Sequence, residues 1–430
     1  MSSESPVDET AEAAEVAQPV RRRVMVDLRP LQTAPDYRRL WIGSTVSFLG
    51  AQMTAVAVAI QVYSLTGSSF AVGAIGICVL VPMIMFGLYG GAVADAVDRR
   101  RLALASSTGL AVVSVVLAVQ AFVGSQALWL LYVCVALQGA LTAINNPTRL
   151  AMIPRLLPRE LLTSANALGQ LGHNLGFTLG PLVGGLVIGT LGLQAAYTLD
   201  AIGFCVALYT LYRLPSMPVG GDGRAPGLSS VLEGLRFLRT RKNVLMTFLA
   251  DMCAMVLAQP RALFPAVAGG FYGGGTRTVG LLAAAPAFGA VAAALVSGWT
   301  GRVRRQGLAV LIAVTVWGGA VGLFGLSRAL WVGVLFLAVA GWADMISAVF
   351  RNTILQVATP DELLGRLQGV FIVVVAGGPR LGDFTAGTVA ALTSERVAIL
   401  SGAMACVTVL WLLAVRFPGF ARYDARHPQP

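Results

Sequence analysis

The sequence predicts an all-α polytopic membrane protein with twelve transmembrane helices arranged as two six-helix pseudo-repeats. Three observations predict it. The chain of 430 residues is 56% hydrophobic and 12% charged, with mean hydropathy +0.76, against about 25% charged for an average soluble domain. The missing charge is missing in blocks: no Asp, Glu, Lys or Arg lies between Arg39 and Asp95, between Arg101 and Arg149, or between Glu160 and Asp200. A transmembrane helix takes roughly 20 apolar residues, so each of the first two gaps holds two spans and a turn. The order of loops also repeats halfway along the chain. This pattern excludes a soluble enzyme, a disordered chain and a coiled coil.

Residues 1–35 are polar and acidic, then basic at Arg21, Arg22 and Arg23. They lack an apolar core followed by a cleavage site, so they read as a disordered cytoplasmic tail and not a signal peptide. Spans follow near 40–64, 69–92, 102–124, 127–148, 163–191 and 194–214, forming a first bundle over 36–214. A central cytoplasmic loop, 215–243, carries an amphipathic stretch from Leu228 to Leu238. The second bundle, 244–416, has spans near 244–266, 278–299, 308–327, 329–350, 367–393 and 398–415, and 417–430 is a cytoplasmic tail.

Net charge is +11, from 30 Arg and one Lys against 20 acids. Nucleic-acid binding requires such residues clustered on a folded surface. Here 26 of them fall in segments on one side of the spans, Arg149 and Arg351 counted among them, against Arg277, Arg328 and Arg396 on the other. The positive-inside rule then puts both termini in the cytoplasm. The partner is the lipid bilayer and not nucleic acid. The five cysteines lie in apolar segments with no C-x-x-C pair, so neither a metal site nor a disulfide framework is expected.

The halves echo each other. Leu157-Pro158-Arg159-Glu160-Leu161-Leu162 after the fourth span returns as Thr359-Pro360-Asp361-Glu362-Leu363-Leu364 after the tenth, 202 positions on. Both read as helix starts, the second with Thr359 as the cap of a capping box. Gly91 with Arg99-Arg100-Arg101 returns as Gly298 with Arg302, Arg304 and Arg305, an offset of 207. A duplicated six-helix unit is the layout of a transporter built from parallel repeats.

Three stretches resemble the major facilitator superfamily. Gly91-x-x-x-Asp95-x-x-Asp98-Arg99-Arg100 is similar to the loop signature between its second and third helices, which implies a conformational latch on the cytoplasmic side. Ala96 and Asp98 depart from that pattern. Gly176-x-x-x-Gly180-Pro181-x-x-Gly184-Gly185 resembles the motif of its antiporters, where small residues allow close helix approach and Pro181 bends the helix. Leu263-Phe264-Pro265-Ala266, Gly322-Leu323-Phe324-Gly325-Leu326, the run Leu355-Gln356 to Thr359-Pro360 with Leu364-Gly365-Arg366, and Gly382-Asp383 resemble the enterobactin-exporter branch. The resemblance implies the major facilitator fold in the plasma membrane. It also implies proton-coupled export of a siderophore or another bulky amphiphile, by a chain acting as a monomer. A multidrug/proton antiporter is the alternative, and an uptake permease a more distant one.

Ionisable side chains inside spans mark transport sites. Arg380 and Asp383 share a helix face near the middle of span eleven; an anionic ligand at Arg380 with a proton at Asp383 is one reading, an internal ion pair the other. Asp251 and Asp344 sit about 10 Å from the cytoplasmic ends of spans seven and ten, with no basic partner nearby in sequence. Asp200 and Arg261 are placed near the external ends of spans six and seven, where water reaches them. His173 reads as a packing residue. Gln52, Gln61, Gln138, Asn145 and Asn146, on spans one and four, offer neutral groups to a ligand or to helix packing. Among acids, those of the C-terminal half are the expected proton carriers.

No P-loop lysine is present, since Lys242 is flanked by Arg241 and Asn243, and His173 and His427 cannot form a catalytic or metal cluster. Neither an enzyme nor a cofactor is expected. The orientation has a direct check: green fluorescent protein fused after Pro430 should fluoresce, and alkaline phosphatase inserted beside Arg277 should be active. The reverse pattern refutes the assignment.

Overall fold

Ten stretches among the described residues are long and apolar enough to cross a membrane. One of them, Arg159–Tyr212, has 54 residues, roughly 80 Å of helix and far more than one crossing. It is two spans, because Gly192 adopts φ 86°, ψ 175° and breaks the helix there, a conformation that glycine reaches without a Cβ penalty. Asp361–Leu392 supplies the twelfth span. The computed structural model describes residues 27–217, 236, 238, 241–358 and 361–424, with the side chains of 88–96, 301 and 361–373 outside that description.

The spans are α1 (Pro35–Thr66), α2 (Ser69–Ala96), α3 (Arg99–Val123), α4 (Leu128–Leu156), α5 and α6 (Leu162–Tyr212, divided at Gly192), α7 (Lys242–Gly270), α8 (Thr276–Leu295), α9 (Gln306–Leu326), α10 (Leu330–Ala358), α11 (Asp361–Leu392) and α12 (Glu395–Arg416). Pro158 precedes a 3₁₀ turn, Arg159–Leu161, and only then does α5 begin, so the expected direct helix start is replaced by a tighter turn. Thr359 and Pro360 lie outside the described residues, as does most of the central loop.

Residues 29–33 form a short helix, which corrects the expectation of disorder over the whole of 1–35. Asp27 accepts from Arg29 and from Ser164 at the start of α5, and those bonds tie this end of the tail to the bundle. At the other end Pro418–Ala421 is a further short helix, with Phe420 buried at 1% exposure beside Gly307 of α9.

Helix packing in hydrocarbon rests on close backbone approach, because lipid tails are as apolar as leucine. Along α5, Gly172, Gly176, Gly180 and Gly184 meet Thr45, Phe48, Gln52 and Met53 of α1. This four-residue spacing keeps the small residues on one face. The antiporter-type motif is therefore the α1–α5 seam. Its fifth residue, Gly185, instead crosses to the other half.

The halves meet near the face opposite the termini, called here the distal face. A Cβ added at Gly73 of α2 would lie 3.1 Å from the Cα of Gly387 of α11, and one at Gly185 would lie 2.8 Å from the Cα of Gly280 of α8. Gly73 and Gly280 stand 207 positions apart and Gly185 and Gly387 stand 202 apart, the same two offsets that relate the loops. The closure is one contact made twice by pseudo-symmetry. Beside it Ser69 donates to Glu395 across the halves at 2.9 Å.

Gly280→Leu should therefore force α8 off α5 and favour opening of the distal face. A cysteine at Ser69 in that variant should react several-fold faster with an impermeant maleimide than in a Gly280 background. Equal rates would show that the crossing does not hold the face shut.

Candidate functional site

The spans enclose a cavity of about 260 Å³ between the halves. Its N-terminal wall is Gln52 from α1 and Asn174, Phe177, Thr178 and Pro181 from α5; its C-terminal wall comes from α7, α8, α9 and α10 and includes Gln259, Arg261, Phe264, Trp317 and Asp344. α7 is a broken helix. Regular turns stop at Met252, Cys253–Leu257 winds as π-helix, the chain loosens through Pro260, and Arg261–Leu263 is a 3₁₀ turn before Phe264–Gly270. Pro260 and Pro265 remove backbone donors. Thr385 of α11 donates to the freed carbonyl of Val256 at 2.8 Å. Irregular backbone at membrane depth is tolerated where it lines a cavity.

That break turns Arg261 onto the cavity wall, not out to water at the helix end as the sequence suggested. Three polar atoms of the lining are buried with no partner in the protein: Gln52 Nε2, Thr178 Oγ1 and Trp317 Nε1. Buried donors of this kind are usually satisfied, so each is a point where a ligand can bond. Sequence reading found Gln52 and Arg261. It missed Thr178, Phe177 and Trp317, whose residue types carry no signal apart from their position on a cavity wall.

The intramembrane charges form two clusters. Arg351 is buried at 4% exposure, which corrects its assignment to a loop, and it pairs with Asp251 of α7 and, at 3.4 Å, with Asp344 of its own helix. Those two acids thus have a basic partner after all. It lies seven residues from Asp344 and a hundred from Asp251, and only α7–α10 packing brings the three together. In the second cluster Asp383 faces Arg261 and Arg380 and meets the backbone N–H of Ala262. Neither Arg380 nor Asp383 lines the cavity; of that cluster, Arg261 reaches it.

Away from the cavity wall, several polar groups of the N-terminal half pair inside their own bundle. Asp200 is fully buried, not hydrated, and accepts from Thr54 at 2.8 Å and Ser114 at 2.7 Å. Arg149, also placed in a loop by sequence, is 9% exposed and donates to Ser44, Ser47 and Ser107. Asn145 donates to Ser106 and Ser107, and Gln61 pairs with Gln120 and Tyr197. Asn145 therefore serves helix packing and not the cavity, and Gln138 is half-buried away from the cavity lining. His173 is exposed, its ring 4.7 Å from that of Phe48.

Of the loop signature, Gly91 and Asp95 lie outside the described side chains. Asp98 caps α3 and ties it to the end of α6, accepting from Arg101 N at 3.0 Å, Ser216 Oγ at 2.6 Å and Met217 N at 2.8 Å. Burial pulls its carboxyl upward, and these hydrogen bonds outweigh burial and hold it below the usual carboxylate range. Arg99 and Arg100 donate to the carbonyls of Ala151, Leu211 and Tyr212, so the described part of the signature binds its own half together.

Residues 26–428 match the transmembrane secretion effector family. An enterobactin exporter of Citrobacter koseri is 28% identical over 411 residues, covering 95% of this chain and 98% of that protein. Among solved structures, the nucleoside transporter NupG superposes with TM-score 0.71 at 14% identity, covering 89% of this chain and all of that one. A bacterial homologue of the lysosomal transporter Spinster, in an inward-facing conformation, superposes with TM-score 0.68 at 15% identity over 91% and 96% of the two chains. At such identities the structures show the fold.

The Arg351–Asp251 pair carries a stability prediction. Removing one member of a buried pair costs about 3–5 kcal/mol because the other charge is left unanswered. Arg351→Ala should lower the thermal midpoint in detergent sharply, while the double change Arg351→Ala with Asp251→Ala should cost less than the sum of the single changes. Strict additivity would show that the pair is not coupled.

Proposed function

Because the chain belongs to the transmembrane secretion effector family of the major facilitator superfamily, we propose that it is a proton-coupled exporter of a siderophore, or of a comparably bulky amphiphile, working by alternating access. It is a multi-pass membrane transporter and not an enzyme. The finer reading rests on one observation, the cavity between the halves. Its wall sets three unpartnered polar atoms and Arg261 among the rings of Phe177, Phe264 and Trp317.

Such a lining suits a molecule with aromatic or apolar body and several oxygen acceptors, at least one of them anionic. Gln52 and Trp317 donate to the acceptors, and Arg261 takes the anionic group in charge-assisted bonds. Asp383 and Arg380 stand outside the cavity lining, where their charges act on Arg261. The name of the Citrobacter koseri relative points to enterobactin as the compound to test first.

With the termini in the cytoplasm of a plasma-membrane protein, the glycine crossings close the outer face and the structure is the inward-facing member of the cycle. Export then consists of loading from the cytoplasm, separation of α2 from α11 and of α5 from α8, and release outside. The inward return is driven by protons. One chain suffices, since both walls of the cavity belong to it.

The test is mass spectrometry of enterobactin in medium and cells of an exporter-deficient producer that carries this protein. Export should be restored, with the intact compound rising outside and falling inside. Arg261→Gln should cut efflux by roughly ten- to hundredfold, the equivalent of one charged hydrogen bond at 1.5–3 kcal/mol, with the protein still in the membrane. No restoration, with efflux of a cationic drug panel instead, would favour a multidrug antiporter. Accumulation inside would indicate uptake.

A further inference from the structure

Two carboxylates share one guanidinium at the cavity floor. Asp251 and Arg351 are deeply enclosed, with side chains 6% and 5% exposed, and they bond closely. Asp344 is different on both counts. Its side chain is 37% exposed and its contact with Arg351 is 3.4 Å, long for a charged hydrogen bond. With every group ionised the triad carries one surplus negative charge in a water-poor site, which is costly unless something positive answers it.

The second cluster has the opposite balance. Asp383 faces two cations, Arg261 and Arg380, and does not line the cavity, so a proton there does not exchange with the cavity directly. Other groups facing Asp344 do not help it. Asp251 repels it from α7, Arg261 lines the same cavity without pairing with it, and α8 and α9 present Pro286, Ala287 and Trp317.

The pseudo-repeat shows that the arginine and its acids are separable. Arg149 stands 202 positions before Arg351, and the same two offsets carry Asp251 onto Ser44 and Asp344 onto Thr142. In the first half the partners of the cation among the described side chains are hydroxyls, Ser44 among them. An arginine at this place is therefore scaffold common to both halves. The carboxylates are additions peculiar to the second half, and one of them faces the cavity.

We propose that Asp344 is the carboxyl at which the cavity takes up and releases a proton, with Arg351, shared with Asp251, as the positioning residue that leaves it one charge short. The inference rests on the transport reading and names the proton site within it. When Asp344 is protonated, Arg351 serves Asp251 alone and the triad is neutral. When the proton leaves, Arg351 is drawn towards both acids and pulls α10 against α7, which are the elements that frame the C-terminal wall.

The test reads protonation without any transported compound, so its failure and failure of the siderophore reading are separable. Infrared difference spectra of the full chain in lipid bilayers follow the protonated-carboxyl stretch as the buffer is taken from alkaline to acid. One carboxyl's worth of signal should vanish in Asp344→Asn and persist in Asp383→Asn. It should also vanish in Asp251→Asn, because Arg351 then neutralises Asp344. That second variant carries the test if the first does not accumulate. Arg351→Gln should raise the signal towards two carboxyls, and Arg351→Lys should return it to one, a response that a purely structural arginine would not give. Full signal in Asp344→Asn, or in Asp251→Asn, overturns the proposal.

Discussion

A chain whose solvent is hydrocarbon has to answer each buried charge and each loose backbone group from within itself, and the placement of its polar side chains follows from that constraint. Arg149 is wrapped by three serines and Arg351 by two carboxylates. Asp200 is held by two hydroxyls. The carbonyl freed by the break in α7 is answered by Thr385. Some buried polar atoms are left without a partner, and those of Gln52, Thr178 and Trp317 lie on the cavity wall.

Duplication explains much of the rest. The same two offsets relate the loops, the arginines of α4 and α10, and the four glycines of the distal closure. The repeat therefore preserves what both halves need mechanically: a close crossing, and a cation that gathers the ends of its neighbours. What distinguishes the halves is chemistry laid over that scaffold. The first half answers its buried Arg149 and Asp200 with hydroxyls, and the second carries the broken helix, both ionic clusters and most of the cavity lining.

The antiporter-type motif shows how a pattern acquires its meaning from packing. Read along the chain, Gly176, Gly180, Pro181, Gly184 and Gly185 are a single run of small residues. In the structure the first, second and fourth admit α1, whereas Gly185 admits α8 of the other half. One side of α5 thus packs within its own half, and the adjacent side is part of the contact between the halves.

The sequence by itself determined the class, the number of spans, the pseudo-repeat and the family resemblance. These are legible because hydrocarbon imposes them locally: a span needs its apolar length, loops need their charge, and close crossings need small residues. It could not determine which charges pair. Asp251 and Arg351 are a hundred residues apart, and Arg149 and Arg351 look like loop residues because they follow apolar runs. Their burial is visible only once neighbouring helices close over them. The same holds for Arg261, which a break in α7 turns from the helix end onto the cavity wall. Spacing along one helix reports which residues share a face; which neighbour that face meets is decided by the packing of the other helices.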